Sequence, residues 1–134
     1  MGTIRRLNPA SLFDAGALSY SQVAIGQGSM QIHVAGQAAL SADLQVVGVG
    51  DFERQTTVAF ENLRLALQAA EAAPQDVVSL RIYVVGLDAT RIPPIQRALE
   101  SFFPPGAKPP GTLLGVAALA MPELLIEVEA TAIV

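Results

Sequence analysis

The segment from Asp51 to Leu87 constrains this chain more than any other. Over Asp51–Ala72 the residues Phe52, Ala59, Leu63, Ala66, Leu67 and Ala70 fall at helical spacing, while Glu53, Arg54, Glu61, Arg64 and Gln68 occupy other faces. That spacing predicts an amphipathic helix, which Asp51 can cap. Ala73-Pro74-Gln75-Asp76 breaks it, and Val77–Leu87, VVSLRIYVVGL, has the β-branched density of a buried strand. A one-faced helix running into a buried strand points to a sheet covered by helices.

The rest of the chain extends this pattern. Ile4–Leu7 reads as a short edge strand ended by Asn8-Pro9. Ser19–Ile25 and Met30–Gln37 are two β-type runs separated by Gly26-Gln27-Gly28-Ser29, a spacing that predicts an antiparallel hairpin. Leu40–Gly50 is turn-prone. Asp88 is expected to cap a second helical region reaching Phe103, with Pro93 and Pro94 in its first turn or forcing a late start. FPPGAKPPG, Phe103 to Gly111, is irregular, and strands follow at Thr112–Leu119 and Leu124–Ile133 around a turn at Met121-Pro122-Glu123. The predicted order is β-β-β-α-β-α-β-β, a single α+β domain over residues 1–134 with a mixed sheet. Two helices cover one face of such a sheet, so neighbouring subunits are expected on the other.

The final strand sharpens that expectation. Ile126, Val128, Ala130 and Ala132 point one way; Leu125, Glu127, Glu129, Thr131 and Ile133 point the other. Two carboxylates thus share one face, their Cα atoms roughly 6.5–7 Å apart.

Composition narrows the function classes. Apolar residues make up 51% of the 134 and charged residues 15%, more apolar side chain than a small monomer easily hides, so a homo-oligomer is expected. The longest apolar run, Leu113–Met121, falls short of the ~18 residues of a spanning helix. MGTIRRLNP has two arginines without an apolar stretch behind them and does not read as a signal peptide, so a cytoplasmic location is expected. There is no cysteine and one histidine, His33, which excludes thiol catalysis, disulfides and a Cys/His metal site. Eight basic against twelve acidic residues give a net charge of −4 without a basic stripe, so neither a nucleic-acid nor a membrane partner is expected. Ser19 and Ser21 lack a histidine base at a readable spacing. GQGS and GVGD are turns rather than phosphate-binding loops. With no Trp and two Tyr, a glycosidase reading of the paired acids has no sugar-stacking support.

NPASL, SYSQVAIGQG, VAGQAAL, FENLRLALQAAEAAPQDVVSLRIYVV, GVAAL and LLIEVEATAIV, in this order and over nearly the whole chain, resemble consecutive blocks of the RidA/YjgF family, known by the older name endoribonuclease L-PSP. The resemblance implies a chorismate-mutase-like α+β fold. It also implies a homotrimer with a central β-barrel, and small-molecule sites in clefts between subunits. Active members hydrolyse enamines and imines such as 2-aminoacrylate to a keto acid and ammonia, without cofactor or metal. By that resemblance Glu127 is the glutamate that positions or activates water, Tyr20 matches the family tyrosine and Gly36 the glycine of a Ser-Gly-Gln block, with Ala35 in the serine's place. Gly111 stands where an arginine of a Pro-Ala-Arg-Ser/Thr signature grips the substrate carboxylate. Glycine makes no bidentate contact to a carboxylate, so a larger or uncharged ligand is expected, held by backbone groups around Thr112 and Leu113. Gln96 falls near a position that is often asparagine in relatives; Leu99 and Phe102 are candidates for an apolar wall, and Arg81, Arg97 or an arginine from a neighbouring subunit for replacing the missing guanidinium. The implied function is an imine- or enamine-type hydrolase of atypical specificity; the alternative is a noncatalytic metabolite-binding or regulatory member.

Overall fold

The computed structural model describes residues 2–134. Its elements are β1 (Thr3–Leu7), β2 (Val23–Gln27), β3 (Gln31–Ala38), α1 (Phe52–Ala69), β4 (Val77–Val85), α2 (Ile92–Phe102), β5 (Gly111–Val116) and β6 (Ile126–Ile133), in the predicted order. Four strands form one sheet in the order β3-β6-β4-β5. β6 runs antiparallel to both β3 and β4, and β5 lies parallel to β4 across the α2 crossover.

The predicted hairpin does not form. β2 pairs with β1, from Thr3 opposite Gln27 to Leu7 opposite Val23, while β3 pairs with β6. The GQGS connection instead carries the chain from one sheet to the other across the C-terminus, where the Ser29 and Met30 amides both donate to the Val134 carbonyl at 2.9 and 3.0 Å. A Cβ at Gly28 would lie 2.6 Å from that oxygen. Glycine is needed there for close approach, a requirement that a local pattern cannot tell from that of a tight turn.

α1 begins as predicted, with the Asp51 carboxylate accepting from the Arg54 amide at 3.0 Å. It buries Gln55, Thr56, Ala59, Phe60, Leu63 and Leu67. It ends before Ala72: Glu71 turns into the left-handed region (φ 56°) and the Ala72 amide returns to the Leu67 carbonyl at 2.9 Å. α2 starts late, at Ile92, and Asp88 does not cap it. The Asp88 side chain instead accepts from the Thr90 amide and hydroxyl at 2.9 and 2.5 Å, tightening the preceding turn. Pro93 and Pro94 occupy the first helical turn, where a missing N–H leaves no bond unmade.

Both helices pack on the same face of the sheet. Ile126, Val128, Ala130 and Ala132 of β6 are buried beneath them with Val77, Leu80, Ile82 and Val84 of β4. The alternate residues Glu127, Glu129, Thr131 and Ile133 stand half-buried on the face without helices, as the alternation predicts. Phe102 stacks edge-on to Phe60 and Phe103, with ring centroids 5.3 and 4.9 Å apart.

Candidate functional site

Parallel pairing sets Gly111 beside Leu80 and Leu113 beside Ile82, on the helix-covered face at the β5 edge of the sheet. α2 crosses above and leaves a cavity of ≈ 260 Å³ between Ile95 and Leu99 of the helix and Leu80 and Ile82 of the sheet. Tyr20, Gln96, Gly111, Thr112 and Leu113 all line it. Three separate stretches of chain thus bring five of the sequence-predicted residues to one place. Leu99 contributes to the apolar wall as expected; Phe102 does not line the cavity and serves the core.

A polar clamp delivers Tyr20. Ser19 adopts a left-handed conformation (φ 67°) after the short 3₁₀ turn Ala15–Leu18, and its hydroxyl donates to Glu100 Oε1 at 2.6 Å. Lys108 Nζ reaches Glu100 Oε2 at 2.9 Å. The Ser21 hydroxyl donates to the Lys108 carbonyl at 2.6 Å, and its amide to the Pro109 carbonyl at 3.2 Å. Two segments of the cavity rim, Ser19–Ser21 and Lys108–Pro109, are therefore tied to each other and to α2. The Ser19 hydroxyl first, then the Lys108 ammonium, hold the Glu100 carboxyl below its ordinary range. Sequence reading treated Ser19 only as a possible nucleophile. Its acceptor lies 81 residues away, and no local pattern announces that pair.

The position of Gly111 is open. A Cβ built there meets nothing closer than the Leu80 carbonyl at 3.8 Å and Tyr20 Cβ at 4.0 Å. Neither candidate arginine fills the gap: Arg97 pairs with Glu53 at 2.8 Å on the helix surface, and Arg81 lies on the bare sheet face, 3.8 Å from Glu129. Among the described residues no charged side chain lines the cavity.

Glu127 and Gly36 lie elsewhere. β6 runs between β3 and β4, so Glu127 has Ala38 on one side and Tyr83 on the other, on the bare face. The β3 register slips between Val34 and Gln37, a bulge that includes Ala35 and Gly36. The Glu127 carboxyl lies against this bulge: a Cβ at Gly36 would stand 2.6 Å from its Cδ and 2.9 Å from Oε2. The glycine is what admits the carboxylate. Beside it the Tyr83 hydroxyl donates to Glu129, and that bond raises the phenol above its ordinary pKa. The seven sequence-predicted residues therefore form two groups, five around the cavity and two on the opposite face of the same sheet. Among the described residues no group of three His, Cys, Asp or Glu is placed to hold a metal ion, and no helix is long and apolar enough to cross a membrane.

Comparison with known proteins supplies the frame for this arrangement. The family model described as endoribonuclease L-PSP matches residues 14–134. A solved protein of unknown function from Yersinia pestis, YyfB of the conserved Rid family, is 37% identical over 98% of each chain and superposes with a TM-score of 0.92. A member of the YjgF/YER057c/UK114 family from Mycobacterium tuberculosis is 31% identical over 98% of this chain and 100% of its own, with a TM-score of 0.64. RidA from an Antarctic Psychrobacter, 20% identical over 86% of this chain and 88% of its own (TM-score 0.69), shares the fold. No curated protein matches. With the fold and nearly the whole length in agreement, this chain belongs to the endoribonuclease L-PSP family, the Rid/YjgF proteins.

Proposed function

We propose that the protein is a cytoplasmic, cofactor-independent hydrolase of imine- or enamine-type metabolites, working as a homotrimer around a central β-barrel. In this reading each site combines the cavity of one protomer with Glu127 and Gly36 of the next. The observation that carries it is the split of the site. Two different patches, on opposite faces of one sheet, belong to one chemistry only if they meet between copies. Such a head-to-tail contact uses unlike surfaces and closes into a ring. β3 and β5, the two edges of the four-stranded sheet, and the half-buried bare face provide surface for it.

The chemistry asks little of the protein. Water adds to the carbon of the protonated imine while the Glu127 carboxylate takes one of its protons, giving a neutral carbinolamine. Glu127 then returns that proton to the nitrogen as the C–N bond breaks and ammonia leaves, and the hydroxyl proton passes to solvent as the carbonyl forms. Tyr20 at the cavity orients the substrate. The test is stopped-flow hydrolysis of 2-iminopropionate and of imines with larger side chains, wild type against Glu127→Gln, with light scattering for the oligomer. A monomer, or turnover indifferent to Glu127, refutes this reading.

A second reading, a noncatalytic metabolite-binding or regulatory member using the same clefts, draws on the absence of a charged group among the described cavity residues. Ligand binding without turnover of any imine selects it. The net charge of −4 weighs against the RNA substrate that the family's older name suggests.

A further inference from the structure

We infer that the cavity beneath α2 receives an uncharged group, branched-aliphatic or aromatic and about the size of an indole ring, and discriminates against a small carboxylate. The inference deepens the proposed function and rests on it for the identity of the reaction, but not for binding. Size is the first argument. A dry cavity of ~150 Å³ lined by Leu, Ile and Phe holds benzene, so ≈ 260 Å³ accommodates a single ring together with several further atoms. The walls are the second: Leu80, Ile82, Ile95 and Leu99 come from rigid elements and are shielded from bulk water by the fold itself.

Charge is the third argument. Lys108, the cation nearest in the chain to the rim, is already engaged by Glu100 at 2.9 Å, and the Ser19 hydroxyl at the lining is spent on the same carboxylate. Within the protomer, a carboxylate entering the cavity loses its hydration and finds no cation among the described lining residues. Gly111 is the fourth: its backbone is outside the left-handed region and the space beside it is open, so the missing side chain adds to the volume available to a guest. The polar end of such a ligand, with the reacting carbon, remains at the mouth near Tyr20, Gln96 and Thr112.

The test is a titration of the full-length protein with indole and, separately, with pyruvate, followed by ¹H–¹⁵N spectra and calorimetry. Indole is expected to bind at the resonances of β5 and α2, with pyruvate at least about tenfold weaker. Gly111→Leu fills the cavity and is expected to remove indole binding. Gly111→Arg is expected to remove it and to reverse the order of the two probes; both variants occupy an unstrained backbone position, and their thermal melts check folding. Pyruvate bound as tightly as indole by the wild type, indole unaffected by either variant, or no binding of indole overturns the inference. Failure of the proposed reaction reads differently: a protein that binds indole but hydrolyses no imine refutes the reaction and leaves this inference standing.

Discussion

On the helix-covered face of the sheet, Leu80, Ile82 and Val128 are buried and a cavity is closed by α2. On the bare face their strand neighbours Arg81, Tyr83, Glu127 and Glu129 form a polar group that no helix covers among the described residues. The same two strands, β4 and β6, supply both. The covered region is finished within one chain, because hydrophobic burial fixes its walls and the Ser19–Glu100–Lys108 clamp fixes its rim. The bare region has its acid seated over a glycine bulge but no walls, so the reaction assigned to it needs a second copy. Under the proposed function this becomes a division of labour in which one side of a sheet chooses the ligand and the other performs the proton transfer.

The largest break in that comparison is Glu127→Gln. It should lower imine hydrolysis by roughly 10²–10⁴-fold while leaving the melting temperature and indole binding unchanged. A parallel loss of indole binding would show that the two faces are not separable. Gln55→Leu tests what joins them. Gln55 is fully buried beneath the start of α1; its Nε2 donates to the Gly48 and Glu123 carbonyls at 3.1 and 2.9 Å, and its Oε1 accepts from the Leu125 amide at 2.9 Å, just before β6. Orphaning these groups should cost about 3 kcal/mol or more in urea unfolding, since each unsatisfied buried group costs roughly 1–3 kcal/mol.

Gly36→Ala sharpens the bare side alone. Its methyl collides with the Glu127 carboxyl and should reduce turnover by about 100-fold through misplacement, with cavity binding unaffected. Asp51→Ala should cost about 1 kcal/mol of unfolding free energy through loss of the α1 cap, without selective effect on either face. The smallest effect is a pH dependence of the covered side. Ser19 and Lys108 depress the Glu100 pKa below its ordinary 4.5, so the clamp's contribution is fully present above that pH and is lost as pH falls below it through the folded-state value. Indole affinity should decline over that window, and Glu100→Gln should abolish the dependence.

Elements ruled by a local period were legible beforehand. α1, β4 and the alternation of β6 appear as expected because a residue's face is set by its own backbone geometry. The β2–β3 hairpin was misread because Gly26 and Gly28 serve a close approach to the C-terminal strand, and Asp88 because its side chain turns back on Thr90 instead of capping α2. The cavity walls at Leu80 and Ile82 were read only as part of a buried strand and Ile95 only as part of a helix; whether an apolar residue fills space or borders it depends on what packs opposite. The Tyr83–Glu129 bond and the place of Arg81 beside it were not foreseen, since strand pairing, not sequence spacing, brings them together.

By itself the sequence determined the order of elements and the side of β6 on which two carboxylates stand, because periodicity acts over a few residues at a time; the family followed from the resemblance of its ordered blocks. Only the tertiary structure decided that Gly36 makes room for Glu127, that Ser19 is held by Glu100, and that Gly111 opens onto an uncharged cavity on the other side of the sheet from the acid. Those facts depend on contacts between segments far apart in the chain, and the free energy that selects them comes from packing the whole domain.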